Sequence, residues 1–276
     1  MGVTTGPYYG DFTQGDYNPL SLEEYIIYLN QDLEEAKAEG IELLVYNEEA
    51  FYIDDKDEEE FLKGACSLIK SYDIDVILAT EIKDTDNSQE GRDNNRIYMI
   101  DYKGEILYQY DKTHLVVLVE TQEVVASSNP IYNGTLETAS GKSITLSALI
   151  CMDGEFPYFV RDSINNDCAL VALPTYDWAS VKDYHADSSL LRSVENGFSI
   201  ARSTYDGISY ISDGYGRIQV ELDTSREGYE KIISYDVAIT PVNTIYKQMG
   251  IIFDILPFII LGGLLVMMII KRKKRY

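Results

Sequence analysis

The sequence predicts an α/β domain with a mixed sheet over residues 1–245, followed by a membrane-crossing helix over 249–270 and a basic tail over 271–276. Three observations carry this. Apolar strand-like runs alternate with amphipathic helical stretches, which is the pattern of helices layered on a sheet. Two segments alternate polar and apolar residues around turn sequences, which adds antiparallel hairpins to that sheet. The run "MGIIFDILPFIILGGLLVMMII" is apolar almost throughout and ends in "KRKKRY".

In chain order, "MGVTTG" is a short first strand. "PLSLEEYIIYLNQDLEEAKAEG" is a helix: Ser21 is the cap, Glu24 three residues on completes a capping box, and Gly40 stops it. "IELLVYNEEA" is a strand, "DEEEFLKGACSLIKSYD" an amphipathic helix and "IDVILATEI" a buried strand. "NRIYMIDYKGEILYQYDK" is a hairpin turning at Tyr102-Lys103-Gly104-Glu105. After the short polar segment Thr121 to Ser140 come the strand "SITLSALIC", the helix "EFPYFVRDSINND", the strand "CALVALPT" and the helix "YHADSSLLRSVENG". "FSIARSTYDGISYISDGYGRIQVEL" supplies two or three strands with a Gly-Tyr-Gly turn.

Composition bounds the function. With 276 residues the chain can bury a sizeable core. Its formal charge of -23 excludes a nucleic-acid partner, because phosphate binding needs a basic face. Three cysteines, Cys66, Cys151 and Cys168, make no disulfide framework, although one Cys66–Cys168 bridge is open. Cys66 lies on an apolar helix face and Cys168 opens a buried strand, so both read as structural. The two histidines, His114 and His185, are far apart in sequence, and no His or Cys has metal-ligand spacing; neither a metal nor a cofactor is expected.

The segment Met249 to Ile270 has one charge, Asp254, and is long enough at ~1.5 Å per residue to cross the hydrocarbon core. A core helix is seldom apolar all round and then followed by five cations. Lys271 to Arg275 are expected in the cytoplasm, which puts the acidic domain outside. The opening "MGVTTGPYYGDF" has neither signal-peptide nor myristoylation features, so either the domain stays cytosolic and the tail inserts against its charge bias or, as is expected here, membrane segments lie upstream of this chain.

Several strands end in a reactive group. Glu48 ends "IELLVYNE", Lys112 follows "ILYQYD" and Cys151 ends "SITLSALIC". Sites on α/β sheets gather at the carboxyl ends of strands. A cysteine acts as thiolate, a carboxylate can take its proton, and a lysine can steady an oxyanion. Taken singly, each reads first as something plainer: Cys151 as a core thiol, Glu48 as a solvated carboxylate and Lys112 as a surface cation.

Together, "LLVYNEEA", "YDKTHLV" and "ALICMDGEFP" resemble the carbon–nitrogen hydrolase (nitrilase) superfamily, and most nearly its bacterial apolipoprotein N-acyltransferase branch. "TYDWAS", the helix with His185, Arg192 and Glu195, "ARSTYDGIS" and "DGYGRI" extend the likeness along nearly the whole chain. The resemblance implies a nitrilase-type αββα sandwich. It implies Cys151 as nucleophile, Glu48 as general base, Lys112 as oxyanion partner and Glu120 as the carboxylate that orients them. Met152, Asp153, Tyr176 and Trp178 fall where substrate contacts are expected. The implied reaction is acyl transfer from a phospholipid donor to the N-terminal amine of a lipoprotein through a Cys151 thioester, at the extracytoplasmic face of a bacterial cell membrane.

The chain departs from that branch in places. Tyr46-Asn47 stand before Glu48 where the branch has Trp-Pro, Val117-Leu118-Val119 stand for Pro-Phe-Gly, and Met152-Asp153 for Tyr-Glu. The segment 121–140 is polar where the branch carries apolar membrane-dipping arms. Two other readings stay open: a membrane-tethered amidase acting on a small amide substrate, and a non-catalytic binding domain on the same fold.

Overall fold

In a computed structural model of the chain, residues 2–5, 20–128, 130–227 and 233–273 are described. Strand β1 (Gly2–Thr5) leads to helix α1 (Leu22–Ala38), β2 (Leu43–Val45), β3 (Phe51–Asp54), α2 (Glu58–Tyr72) and β4 (Asp75–Lys83). The hairpin β5 (Asn94–Ile100) and β6 (Ile106–Asp111) follows, then β7 (Asn133–Glu137), β8 (Ser143–Ala148), α3 (Pro157–Ser163) and β9 (Leu170–Tyr176). The remainder is α4 (Lys182–Asn196), β10 (Ser199–Tyr205), β11 (Ile208–Ser212), β12 (Ile218–Asp223), the single turn α5 (Thr224–Glu227), β13 (Ser234–Asp236) and α6 (Ile245–Lys273).

The strands form two mixed sheets. One runs β13-β1-β2-β4-β5-β6 with β3 also beside β4; the other runs β12-β11-β10-β9-β8-β7. They face each other through β1 and β2 against β9 and β10. α1 and α2 cover the first sheet, and α3 and α4 flank the second, with α4 packed on β10 and β11. Four layers result, the αββα arrangement that the resemblance implies. Packing follows the sequence pattern. The Ser21–Glu24 capping box starts α1 as expected, with Glu24 N–H on the Ser21 hydroxyl and Ser21 N–H on the Glu24 carboxylate. The α1 and α2 faces meet the first sheet through the edge-on rings of Tyr25, Tyr46, Phe51 and Phe61.

Three strands are additions to the expected set: β3, β7 and β13. Of these β3 explains the most. β2 pairs with Asp75–Ile77 and β3 with Thr80–Lys83, both parallel to β4. They are two halves of one interrupted strand, and the five residues 46–50 bulge out opposite only two of β4. The expected strand "IELLVYNEEA" therefore ends at Val45, and Glu48 lies in the interruption. The hairpin turns where expected. Gly104 has φ +76°, and a Cβ there would approach the Cys66 carbonyl to 2.4 Å, so both conformation and space call for glycine.

The expected membrane segment lies within α6. Its start packs on α4, where the Thr244 hydroxyl donates to the Glu195 carbonyl (2.5 Å), and Gly250 lies against Arg161. Met249 breaks the helical backbone, and beyond it the window Ile255–Arg272 is wholly uncovered. Among the described residues this is one helix long and apolar enough to cross a membrane. All three cysteines are free, so the Cys66–Cys168 bridge is not formed.

Asp75, at the start of β4, is 1% exposed. One carboxylate oxygen accepts the Tyr102 N–H at 2.8 Å, and the other has no partner. Burial, aided by the nearby Asp101 and Glu42 charges and opposed by that hydrogen bond, pushes its pKa up to about 7. A carboxyl raised in the fold favours folding in its protonated form. Its contribution is full below the unfolded value near ~3.9 and is lost as pH rises through about 7. Asp75→Asn is therefore expected to stabilise the protein by roughly 1–3 kcal/mol at pH 8 and by little at pH 4. Urea unfolding at the two pH values checks this; an equal effect at both would rule it out.

Candidate active site

Four polar side chains reach one cavity from beyond three strand ends. Glu48 sits in the interruption between β2 and β3. Lys112 follows β6, its N–H held by the Asn95 carbonyl at 2.9 Å. Glu120 lies on the loop after it, and Cys151 comes three residues past β8. Cys151 has φ +43°, and a 3-10 turn starts on it. A left-handed, non-glycine residue costs on the order of 1–3 kcal/mol and is held in place by its surroundings. Here the Leu149 N–H on the Ala172 carbonyl and the Asp153 N–H on the Ile150 carbonyl fix the chain on either side.

The cavity has a volume of about 360 Å³. Its lining includes Glu48, Lys112, Glu120, Cys151, Tyr176 and Trp178, so six of the eight residues expected at a site are brought together. Met152 and Asp153 are not among the lining side chains. Asp153, expected at the substrate, is fully buried behind the cysteine turn. It accepts the Tyr110 hydroxyl (2.8 Å) and the His114 N–H (2.8 Å) and meets the His114 ring at Nδ1 (2.9 Å). A carboxylate so occupied braces the turn rather than facing the cavity.

Lys112 is the centre of the polar set. Its ammonium is 2.7 Å from Glu48 Oε1 and 2.6 Å from Glu120 Oε1. The second Glu120 oxygen accepts the Val116 N–H (2.6 Å), which locks that loop. Burial works against a charged Lys112, but Glu48, Cys151 and Glu120 together outweigh it and hold its pKa well above the ordinary value. Burial likewise pushes the Glu48 carboxyl up, against the pull of Lys112, to about 7. The Cys151 thiol is pushed well above its usual range, first by burial and then by the Glu48 charge, with Lys112 opposing. At neutral pH the arrangement holds a thiol, a carboxyl group that can gain or lose a proton, and a fixed cation. Those are the parts that nucleophilic attack on a carbonyl needs. The carboxylates of Glu48, Glu49 and Glu120 lie close enough together to ligate a cation. The Lys112 ammonium, bonded to two of them, already supplies the positive charge there.

Other groups at the site gave no signal in the sequence. Asn95 Nδ2 donates to Glu48 Oε1 (2.7 Å) and to Glu49 Oε1 (3.2 Å). The Tyr176 N–H donates to Glu48 Oε2 (2.7 Å), and the Tyr176 carbonyl is 3.7 Å from the Cys151 sulfur. Glu49 and Glu81 line the same cavity, both buried and both with raised pKa values for which burial is the first cause. Main-chain partners have no residue type to betray them, and Asn95 reads as an ordinary polar residue at a strand start.

A carbon–nitrogen hydrolase family profile matches residues 14–244. The chain belongs to the carbon–nitrogen hydrolase family. Within it, curated relatives include an apolipoprotein N-acyltransferase of Rhodopseudomonas palustris, 27% identical over 65% of this chain and 35% of its own length. A Rickettsia typhi apolipoprotein N-acyltransferase is 25% identical over 81% of this chain and 47% of its own length. The chain thus spans about a third to a half of the length of these relatives. A protein named hydrolase in agr operon, from Staphylococcus lugdunensis, is 24% identical over 72% of this chain and 82% of its own. Among solved structures, an amidase from Nesterenkonia sp. AN1 superposes with a TM-score of 0.72 at 18% identity, covering 90% of this chain and 95% of that one. At that identity the likeness speaks for the nitrilase fold.

Proposed function

We propose that this carbon–nitrogen hydrolase is an acyltransferase that carries an acyl group on Cys151 from a phospholipid to the N-terminal amine of a lipoprotein. The observation that carries the reading is the single cavity uniting Cys151, Glu48, Lys112 and Glu120 beneath an apolar rim. Val116, Val119 and Val124 line that cavity, and Val117, Leu118 and Val119 stand out into solvent at 72%, 86% and 56% exposure. An apolar rim suits an acyl chain, and the uncovered α6 would hold the site at a membrane.

In this reading Glu48 takes the Cys151 proton as the sulfur adds to the ester carbonyl, and Lys112 steadies the oxyanion. The C–O bond then breaks, and the departing alkoxide takes the proton from Glu48. The acceptor amine next attacks the thioester, passing a proton to Glu48. The C–S bond breaks and Glu48 returns the proton to the thiolate. Glu120 keeps Lys112 in place. The similarity to proteins named apolipoprotein N-acyltransferase supports this acceptor. The domain would lie outside the cell membrane with the C-terminus in the cytoplasm. A cysteine introduced at Tyr276 should then resist impermeant thiol reagents until the membrane is opened; labelling in intact cells would reverse the orientation.

A second reading is a tethered amidase, with water in place of the amine. The small cavity and the polar segment 121–140 favour it. Intact-mass measurement on the membrane-embedded polypeptide separates the two. The transferase reading expects a Cys151 adduct of acyl-chain mass from phospholipid vesicles, removable by hydroxylamine, that discharges to a diacylglyceryl-cysteine peptide faster than to water. An adduct formed only from short amides makes it an amidase, and no adduct from any ester or amide leaves a binding domain.

A further inference from the structure

Beside Cys151 lies a buried ionic group that the proposed chemistry does not use. Asp177 and Arg202 are both fully buried, and an Arg202 Nη2–Asp177 Oδ2 contact of 2.7 Å joins them. The other Asp177 oxygen meets His185 Nδ1 of α4 at 2.9 Å. Arg202 is itself braced, its Nη1 donating to the Thr204 hydroxyl (2.6 Å) and the Ile208 carbonyl (2.5 Å). The Asp177 N–H donates to the Tyr205 carbonyl (3.0 Å). At Gly207, a Cβ would come within 2.5 Å of Asp177 Oδ2, so the chain makes room for this carboxylate.

What this grip adjoins is the backbone of Tyr176. Tyr176 ends β9, and its two backbone groups point at the two reacting partners: N–H to Glu48 Oε2 (2.7 Å), carbonyl to Cys151 Sγ (3.7 Å). A carboxylate offers about four lone-pair positions. Lys112 and Asn95 take both on Glu48 Oε1, and the Tyr176 N–H takes one on Oε2. One position is left, on the oxygen bonded by the residue whose carbonyl meets the thiol. The orientation of the Glu48 carboxylate therefore depends on where the Tyr176 backbone sits.

We infer that Asp177 is a positioning residue whose carboxylate, held by Arg202 and His185, fixes the backbone of Tyr176, which meets Glu48 through its N–H and the Cys151 thiol through its carbonyl, and so sets the placement of base and nucleophile relative to each other. This rests on the roles of Cys151 and Glu48 proposed above. The rival is an ion pair that only knits β9, β10 and α4 together. A third view makes Asp177 a nearby negative charge that holds the thiol un-ionised. The three differ in sign. Removing a mere charge eases thiolate formation and speeds alkylation of Cys151. Removing a mere brace lowers stability and leaves the alkylation rate of the folded protein alone. Removing a positioning residue slows it.

The experiment measures iodoacetamide alkylation of Cys151 at pH 7, by peptide mass mapping of the membrane-embedded polypeptide, with urea unfolding in parallel. Asp177→Asn is expected to slow alkylation about 10-fold, a part of the roughly 10²–10⁴ that a well-placed general base contributes. Because it leaves Arg202 as an unpaired buried cation, the double variant Asp177→Asn/Arg202→Met provides a neutral, similarly sized pair. It too should remain about 10-fold slow, since the charged grip on residue 177 is gone and only main-chain bonds to β10 then hold Tyr176. A rate equal to or faster than wild type in the folded double variant overturns the inference. Glu48→Gln is the control for the underlying reading. If it alkylates as fast as wild type, the roles of Glu48 and Cys151 fall, and this inference with them. If it is slow while the Asp177 variants are not, only the inference falls.

Discussion

Replacing Cys151 by serine is expected to lower kcat/KM by about 10⁴-fold or more, in line with the loss of a nucleophile that acts as one unit with its base. The fold should persist. The side chain is 7% exposed, and its one hydrogen-bond contact is the long 3.7 Å approach to the Tyr176 carbonyl, which a hydroxyl keeps with small adjustment. Serine also accepts the positive φ of that position as well as cysteine does, because neither is branched at Cβ. What changes is the match between nucleophile and base. Burial places the Glu48 carboxyl at about 7, within reach of a thiol but far from a hydroxyl. Steady-state kinetics and intact mass on the same sample decide this. Turnover within tenfold of wild type, or an adduct forming on another residue, would remove Cys151 from the centre of the chemistry.

The fold was legible where local chemistry and tertiary packing agree. Ser21 and Glu24 cap α1 as a pair, α2 carries Phe61, Ala65 and Ile69 on one face at helical spacing, and Gly104 sits where the hairpin needs a positive φ and room beside the Cys66 carbonyl. It was not legible between Tyr46 and Ala50. "IELLVYNEEA" reads as one strand because its apolar run favours extended backbone, whereas the folded chain ends it at Val45, adds β3 after Ala50 and leaves five residues opposite two of β4. That break presents Glu48 to the cavity, and no periodicity encodes it. The strand β7 was hidden for another reason. "NGTLE" alternates weakly and lies at the end of its sheet, where a single buried residue, Leu136, marks it.

The site was legible by residue type and not by orientation. Glu48, Lys112 and Cys151 stand out because thiol, carboxylate and amine follow apolar runs, and three-dimensional convergence then needs only the carboxyl-end rule for sheets. Asp153 illustrates the limit. Adjacency to Cys151 suggests a substrate contact, yet the 3-10 turn that starts on Cys151 sends the next two side chains away, and Asp153 ends among Tyr110 and His114. Asp177 is the converse case. It lies one residue past a strand end in "TYDWAS" and looks like a solvated turn residue, while the fold buries it completely against Arg202.

Lys112→Met is expected to have the largest combined effect, on stability and on rate together. The lysine is 1% exposed, with its ammonium 2.7 Å from Glu48 and 2.6 Å from Glu120. Methionine keeps the length and removes the charge, which leaves the buried Glu48 carboxylate and the partly buried Glu120 carboxylate facing each other without a cation. Breaking such a buried group from one side costs about 3–5 kcal/mol. Part of that is avoided if Glu48 takes up a proton, since its pKa, already raised, would rise further once the opposing charge of Lys112 is gone. The variant should therefore be more stable in acid than at pH 8, as carboxyls that favour the protonated form in the fold lose that preference only above their raised pKa. Rate should fall by about 10² to 10³, the usual cost of losing one oxyanion donor, and by more where the base is also neutralised. The triple variant Lys112→Met/Glu48→Gln/Glu120→Gln separates the two effects. With no buried charge left in the group, urea unfolding should recover most of the lost stability at pH 8. Turnover should stay absent, because neither a proton acceptor nor a cation faces Cys151. Recovery of stability with recovery of activity would mean that these three side chains serve the fold and that the chemistry is performed elsewhere.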